Sequence, residues 1–338
     1  ILQAILHNGN YGVTMFFVIS GYLITSRSMQ RHGALSNINL GNFYKLRFAR
    51  IFPCLILALL MIFSLSLFEF KSFVNKNSMV DSTVSMPVSI LSVLTFWHNV
   101  LMEQYGYFNY AINIYWSLSV EEVFYLAFPV VCVILRKKPQ LLTLILALVI
   151  IGPIYRYIHR DNELYFMYGY LGCFDAIAYG CLAAILYNYN KIKFLQYNFI
   201  QYAAGIILIG TYMLGIHNHE TFGFSIIAIM TAILLLGTPS TIRTQNLIVK
   251  IVSHFVRFLG RMSYELYLFH IVILGVMRQF WLQASLSKGQ ITFLAFAFIG
   301  LSVLVAWLCY RYYSEPLNNR IRKITINIGS EKIYDNVV

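Results

Sequence analysis

Apolar stretches long enough to cross a lipid bilayer recur along almost the whole of this 338-residue chain, separated by short polar breaks. About 20 apolar residues in a helix bridge a hydrocarbon layer of about 30 Å. In lipid, each backbone N–H and C=O must also be satisfied inside the segment. The chain is therefore expected to be all-α, a polytopic transmembrane helical bundle. Nine spans are expected, over 12–26, 51–70, 116–135, 141–158, 165–187, 199–215, 220–237, 263–283 and 291–312. Segment 84–102 is apolar but carries Pro87, His98 and Asn99, and reads as a re-entrant or interfacial piece. Ile1–Leu6 is too short to cross and lacks the basic start of a signal peptide. It reads as the tail of a first, truncated helix, which gives about ten spans in full.

Composition enters here as an exclusion. Only 11% of residues are charged, against roughly a quarter in soluble domains. A soluble protein of this length could not cover its surface with so few. That excludes an ordinary cytosolic enzyme, a disordered chain and a nucleic-acid binder. The net charge of +12 is a matter of placement. Nineteen Lys and Arg fall in alternate loops, including Arg27 to Arg50, Arg136 to Lys138, Lys250 to Arg261 and the C-terminal tail. Lys71, Lys76, Arg156, Arg160, Arg278 and Lys288 fall on the other side. By the positive-inside rule the first set, with the C-terminus, faces the cytoplasm, and His7 faces outward. One membrane domain over 1–323 and a short cytoplasmic tail over 324–338 are expected. The five cysteines lie in or beside apolar segments without metal-type spacing, and read as small core residues. No metal is expected.

Ionisable residues inside spans are costly, and default to functional hypotheses. His7 sits in HNGNYG; it either caps a helix in water or acts as a base that titrates near neutral pH. Glu121 and Glu122 lie one turn into span 116–135. On a helix Ser117, Glu121 and Tyr125 share a face, and Glu122 points about 100° away. Glu121 is either a buried packing carboxyl or a group that steadies an imidazolium, as in triad chemistry. Arg47 and Arg50 form an R-x-x-R pair, on one face if the helix starts early, with Lys45 a third charge nearby. They either anchor topology at headgroups or bind phosphates. Gly12 and Gly21, with Ser20 beside the latter, read as close helix packing. Asp175 needs a partner, as do Glu265 and His270 in SYELYLFH. His217 and His219, in a short outer loop, read as surface residues.

Taken together, several stretches resemble the acyltransferase-3 family of integral membrane O-acyltransferases. They are His7 with GVTMFFVISGYLIT, NFYKLRFARIFP at 42–53, YWSLSVEEVFYLAFP at 115–129, FDAIAYGCLAA at 174–184, GRMSYELYLFH at 260–270 and YSEPLNNR at 313–320. The resemblance implies transfer of an acyl group, usually acetyl, from cytoplasmic acetyl-CoA (acyl-CoA) to a hydroxyl of a cell-envelope or exported glycan, in a bacterial inner membrane. It implies His7 as the catalytic histidine, Glu121 as the glutamate after WSL, and Arg47 and Arg50 as the clamp on coenzyme A phosphates. Two departures stand out. The family's basic residue eleven positions before the histidine would precede Ile1, and Cys173 stands where many relatives have arginine.

The mechanism expected from this has pantetheine threading outward through the bundle from Arg47 and Arg50 toward His7. His7 deprotonates a sugar hydroxyl, or itself takes the acyl group first. Glu121 steadies the imidazolium, and Ser117 or Ser119 hydrogen-bonds the oxyanion. The rival readings are a glycan or lipid transporter (flippase) without acyl transfer, and a non-catalytic subunit of an envelope-synthesis complex.

Overall fold

The computed structural model describes residues 8–75, 84–189, 192–237, 247–281 and 287–322. Among these the regular structure is helical, with no strand. In chain order the helices are α1 (Tyr11–His32), α2 (Leu40–Leu67), α3 (Met86–Leu94), α4 (His98–Tyr105), α5 (Trp116–Ile134), α6 (Lys138–Ile158) and α7 (Glu163–Tyr168). They continue as α8 (Tyr170–Asn188), α9 (Asn198–Leu214), α10 (Glu220–Gly237), α11 (Leu247–Arg261), α12 (Ser263–Trp281) and α13 (Lys288–Cys309).

The nine expected spans fall largely on helix, although 68–70 lie beyond the end of α2 and 282–283 lie outside the described residues. Among the described residues six helices are long and apolar enough to cross a membrane, or seven if α11 and α12 count as one bent span; α1, on which the expected span 12–26 falls, is not one of the six. α9, with 17 residues, is shorter. The chain is a multi-pass integral membrane protein. Segment 84–102 forms the two short helices α3 and α4, of 9 and 8 residues, neither long enough to cross. Between them Phe96 takes φ +63°.

The chain forms two compact units that interleave in sequence. The first comprises Ile1–Asn39, Ser92–Gly106 and Tyr115–Ser240. Its hub is α8, which packs on α1, α6 and α10. α8 buries Gly172, Ala176, Ala178, Gly180, Ala183 and Ala184, which lets neighbouring backbones come close. At the α1–α8 crossing the two backbones touch. A Cβ on Gly180 would stand 2.0 Å from the Val18 carbonyl oxygen, and one on Gly21 would stand 2.1 Å from that of Ile177. The packing role expected of Gly21 is therefore met. Gly12 differs: a methyl there would meet only the Tyr212 hydroxyl, at an ordinary 3.5 Å. The span expected as one helix over 165–187 is broken at Gly169, which is extended (φ −64°, ψ 139°). A Cβ there would lie 2.7 Å from the Tyr155 hydroxyl and the Tyr165 carbonyl oxygen, so glycine lets the chain pass this corner.

The second unit comprises Leu40–Leu91, Tyr107–Ile114 and Thr241–Val338. Within it α12 packs on α2 and α13. The tyrosines of SYELYLFH fasten this packing: Tyr264 donates to the Ile51 carbonyl at 3.0 Å, and Tyr267 to that of Ile114. After α13 a π turn runs over Tyr310–Ser314, and the helix then continues to Arg322. The turn ends two residues before Pro316, whose ring and missing N–H interrupt the regular ladder. The expected span 291–312 is thus the first part of a longer helix.

Candidate functional site

Glu121 lies near the start of α5 and is 6% exposed. Its carboxylate accepts hydrogen bonds from the Tyr125 hydroxyl one turn on and from Ser20 of α1. The Ser20 and Tyr125 hydroxyl oxygens also lie against each other. The helical face expected to carry Ser117, Glu121 and Tyr125 is realised, and Ser117 is buried. Ser20 was legible only as a packing residue beside Gly21; its hydroxyl is a direct partner of the carboxylate. Ser119 is used structurally: its hydroxyl donates to the Tyr115 carbonyl at 3.3 Å and accepts the His98 N–H at 3.3 Å, which ties α4 to α5. Glu122 is also buried.

His7 lies outside the described residues, as do Ile1–Leu6 and the tail over 324–338. Its neighbour Asn8 is described. The Asn8 amide donates to the Tyr212 carbonyl of α9 at 2.8 Å, which pins the entry to α1 at one end of the first unit. A cleft of about 1010 Å³ opens there. Asn8, Asn10, Tyr11, Phe166, Met167 and Phe224 are among the residues that line it, with charged groups such as Arg160, Asp161 and Glu220 also present. Its lining thus mixes aromatic faces with amides and charges.

The partner that Asp175 needed is Arg156. The two are each 1% exposed and form a fork: Nη1 to Oδ1 at 3.0 Å and Nη2 to Oδ2 at 2.6 Å. Ser225 of α10 accepts from Nη2 at 2.7 Å and donates to Asp175 at 3.0 Å. The Thr221 and Gly172 carbonyls take further guanidinium protons. This corrects the charge count: Arg156 is not an outer-loop cation but a buried side chain of α6. Its place at the end of an apolar stretch made it look like a flanking charge. Arg156 and Asp175 both line a void of about 20 Å³ that shares Asn10, Phe166, Met167 and Phe224 with the larger cleft.

One titratable group escaped the sequence reading. Glu103 on α4 is half-buried, and burial pushes its carboxyl up to about 7, an effect that His159 partly offsets. Nothing in its local sequence signals this, because the burial comes from distant segments. The folded state keeps this proton to about pH 7, whereas an unperturbed carboxyl loses it near 4.5. Stability contributed by this group is therefore present below about pH 4.5 and is lost as pH rises towards 7. Thermal unfolding of the detergent-solubilised protein should show Glu103→Gln flattening that part of the pH profile. An unchanged profile would contradict this assignment.

In the second unit, α2 begins at Leu40, well before the apolar run, so Arg47 and Arg50 are helical and share a face at i, i+3. Arg47 is half-buried and Arg50 exposed. Lys45 is exposed and lies roughly 140–160° round the helix from both, at 100° per residue. Glu265 is buried. His270 directs Nδ1 at the carbonyls of Leu266 and Tyr267, at 3.1 and 2.7 Å, a local bond within its own helix.

Comparison with known proteins gives this arrangement its context. A family model described as an acyltransferase domain matches residues 3–311. The chain belongs to the acyltransferase-3 family. The stretch matched by the family runs from before His7 to the end of α13 and includes Glu121, Lys45, Arg47 and Arg50. The protein named "Putative O-acetyltransferase SACOL0978" of Staphylococcus aureus strain COL is 27% identical over 336 residues, which cover 92% of this chain and 53% of its own length. O-acetyltransferase OatA of S. aureus strain NCTC 8325 is 27% identical over 339 residues, covering 93% of this chain and 53% of its own length. The chain thus spans about half the length of these curated relatives. No solved structure matches it.

Proposed function

We propose that the protein is an O-acyltransferase of a bacterial plasma membrane. It moves an acyl group, acetyl in the first instance, from cytoplasmic acyl-CoA to a hydroxyl of a cell-envelope or exported glycan, and its C-terminus lies on the cytoplasmic side. The observation that carries this reading is the family match over residues 3–311. The names of the relatives support acetyl as the group moved. The cleft lined by Asn8, the residue that follows His7 in the sequence, supports a polar acceptor.

In this reading His7 removes the proton from an acceptor hydroxyl, whose oxygen attacks the thioester carbonyl. The C–O bond forms, the C–S bond breaks, and the proton passes from the imidazolium to the departing coenzyme A thiolate. In the variant with an acyl-His7 intermediate, the imidazole nitrogen attacks first and the hydroxyl second. Glu121, held by Ser20 and Tyr125, steadies the positive imidazole. Ser117 and Ser119 are the two oxyanion candidates to be tested; the Ser119 hydroxyl also accepts the His98 N–H of α4. Arg47 and Arg50 hold the phosphates of coenzyme A, with Lys45 adding field rather than a direct fork.

The test is purified protein in lipid with acetyl-CoA and a glycan acceptor, reading both free coenzyme A and acetylated glycan. Both products are expected together. A flippase would move glycan without consuming acetyl-CoA, and that result would overturn the reading. The double variant Arg47→Ala/Arg50→Ala is expected to weaken donor binding by a few kcal/mol at most, since a charge-assisted contact nets about 1.5–3 kcal/mol. Unchanged donor affinity would leave these arginines as headgroup anchors.

A further inference from the structure

α11 buries none of its fifteen residues. Its basic side chains, Lys250, His254, Arg257 and Arg261, recur at i, i+4, i+7 and i+11. At 100° per residue they fall within roughly 60° of arc. Ser253 holds Arg257 on this stripe: its carbonyl accepts Nε at 3.1 Å, and its hydroxyl accepts Nη2 at 2.9 Å. The opposite side of the helix carries Ile248, Ile251, Val252 and Phe255, which are 54–71% exposed. The chain turns by 74° between α11 and the apolar helix that follows it, with only Met262 between them. Both helices belong to the second unit.

These observations fix an orientation. α12 is apolar, reads as a span in the sequence, and packs on α2, a helix long and apolar enough to cross a membrane. With the usual tilt of about 20° for a span, a helix bent away by 74° stands nearer to the membrane plane than to its normal. Crossing is also disfavoured by length. Fifteen residues extend about 22 Å, short of the hydrocarbon layer of about 30 Å, and the basic stripe would have to enter that layer. An amphipathic helix in the plane instead sinks its apolar face to the acyl boundary and lays its cations among headgroups.

We propose that α11 is an interfacial helix seated on an anionic phospholipid surface, with Lys250, Arg257 and Arg261 meeting the headgroups. The choice of lipid rests on charge complementarity. Three fixed positive charges and a histidine line one stripe, and α11 has no acidic residue to balance them. Basic side chains are attracted to the negative potential of an anionic leaflet. The membrane, already required by the neighbouring helices, is within reach of the apolar face without any further partner. This assignment does not depend on the reaction proposed above.

The experiment places a reporter on the apolar face as Phe255→Trp in the full chain, reconstituted in vesicles, with the native signal subtracted. Phosphatidylcholines brominated either near the headgroup or near the chain ends serve as quenchers. Stronger quenching by the shallow bromines is expected. Adding phosphatidylglycerol should shift the emission further to the blue, and Lys250→Gln/Arg257→Gln/Arg261→Gln should abolish that shift while the shallow quenching persists. Stronger quenching by the deep bromines would make α11 half of a broken span and overturn the proposal. No quenching by either lipid would mean the face is covered by protein or water, and would also overturn it. Equal emission with and without phosphatidylglycerol would overturn the anionic assignment.

Discussion

Arg156→Ala is expected to lower stability by about 3–5 kcal/mol, the usual cost of removing one partner from a buried ion pair. Among the described residues the carboxylate of Asp175 would then keep only the Ser225 hydroxyl and the Ala176 N–H, at 3.0 and 2.9 Å, while 1% exposed. Neither supplies a compensating charge. The loss would be read as a fall in the thermal unfolding midpoint of the detergent-solubilised protein. Arg156→Lys should lie between, since an ammonium keeps the charge but not the planar fork. The double variant Arg156→Met/Asp175→Leu should recover much of the loss, because two apolar side chains leave no buried charge behind. The site has no slack on its other side. A Cβ on Gly152 would stand 2.4 Å from the Asp175 carboxyl carbon, so the carboxylate cannot retreat toward α6. A single variant as stable as the native chain would mean that Asp175 finds another cation or gives up its charge.

The second large effect concerns activity and rests on the proposed reaction. His7→Ala is expected to lower kcat for acetyl transfer by about 10²–10⁴, the range for a positioned general base, with the unfolding midpoint unchanged. Coenzyme A released equally by variant and native protein would remove His7 from the reaction. Glu121→Gln separates chemistry from packing. A carboxylate beside an imidazole favours the protonated ring and raises its pKa. Replacing it with a neutral amide lowers that pKa, so the acid limb of the rate profile should move to lower pH while kcat falls. A lower rate with an unmoved limb would mean that Glu121 serves only the Ser20–Tyr125 packing.

Particular residues mark where the sequence was readable. The helices were, because span length and apolarity are local properties of a segment. The face shared by Glu121 and Tyr125 was readable for the same reason, since i, i+4 spacing fixes it. The early start of α2, which puts Arg47 and Arg50 on helix, is not legible in the sequence, because a polar helix end looks like a loop in composition. Arg156 was misassigned: its position at the end of an apolar run is what a topological anchor looks like, and its partners stand 19 and 69 residues further on. The break at Gly169 was missed because a glycine inside an apolar run is common in membrane helices, and the crowding by Tyr155 and Tyr165 that requires it is tertiary. α11 left a periodic signal in its basic residues, but that signal was absorbed into the loop charge count.

By itself, the sequence determined the solvent, the all-helical class, the approximate span positions and the family motifs. Each follows from short-range rules: apolar length must match a bilayer, and backbone polar groups in lipid must be satisfied within the helix. Only the tertiary structure decided which polar side chains meet. Ser20 came to Glu121, Arg156 and Ser225 came to Asp175, and α11 turned away from α12. The reason is physical: a buried polar group takes whichever partner the packing of distant helices brings within hydrogen-bond reach, and the sequence around that group holds no record of the partner.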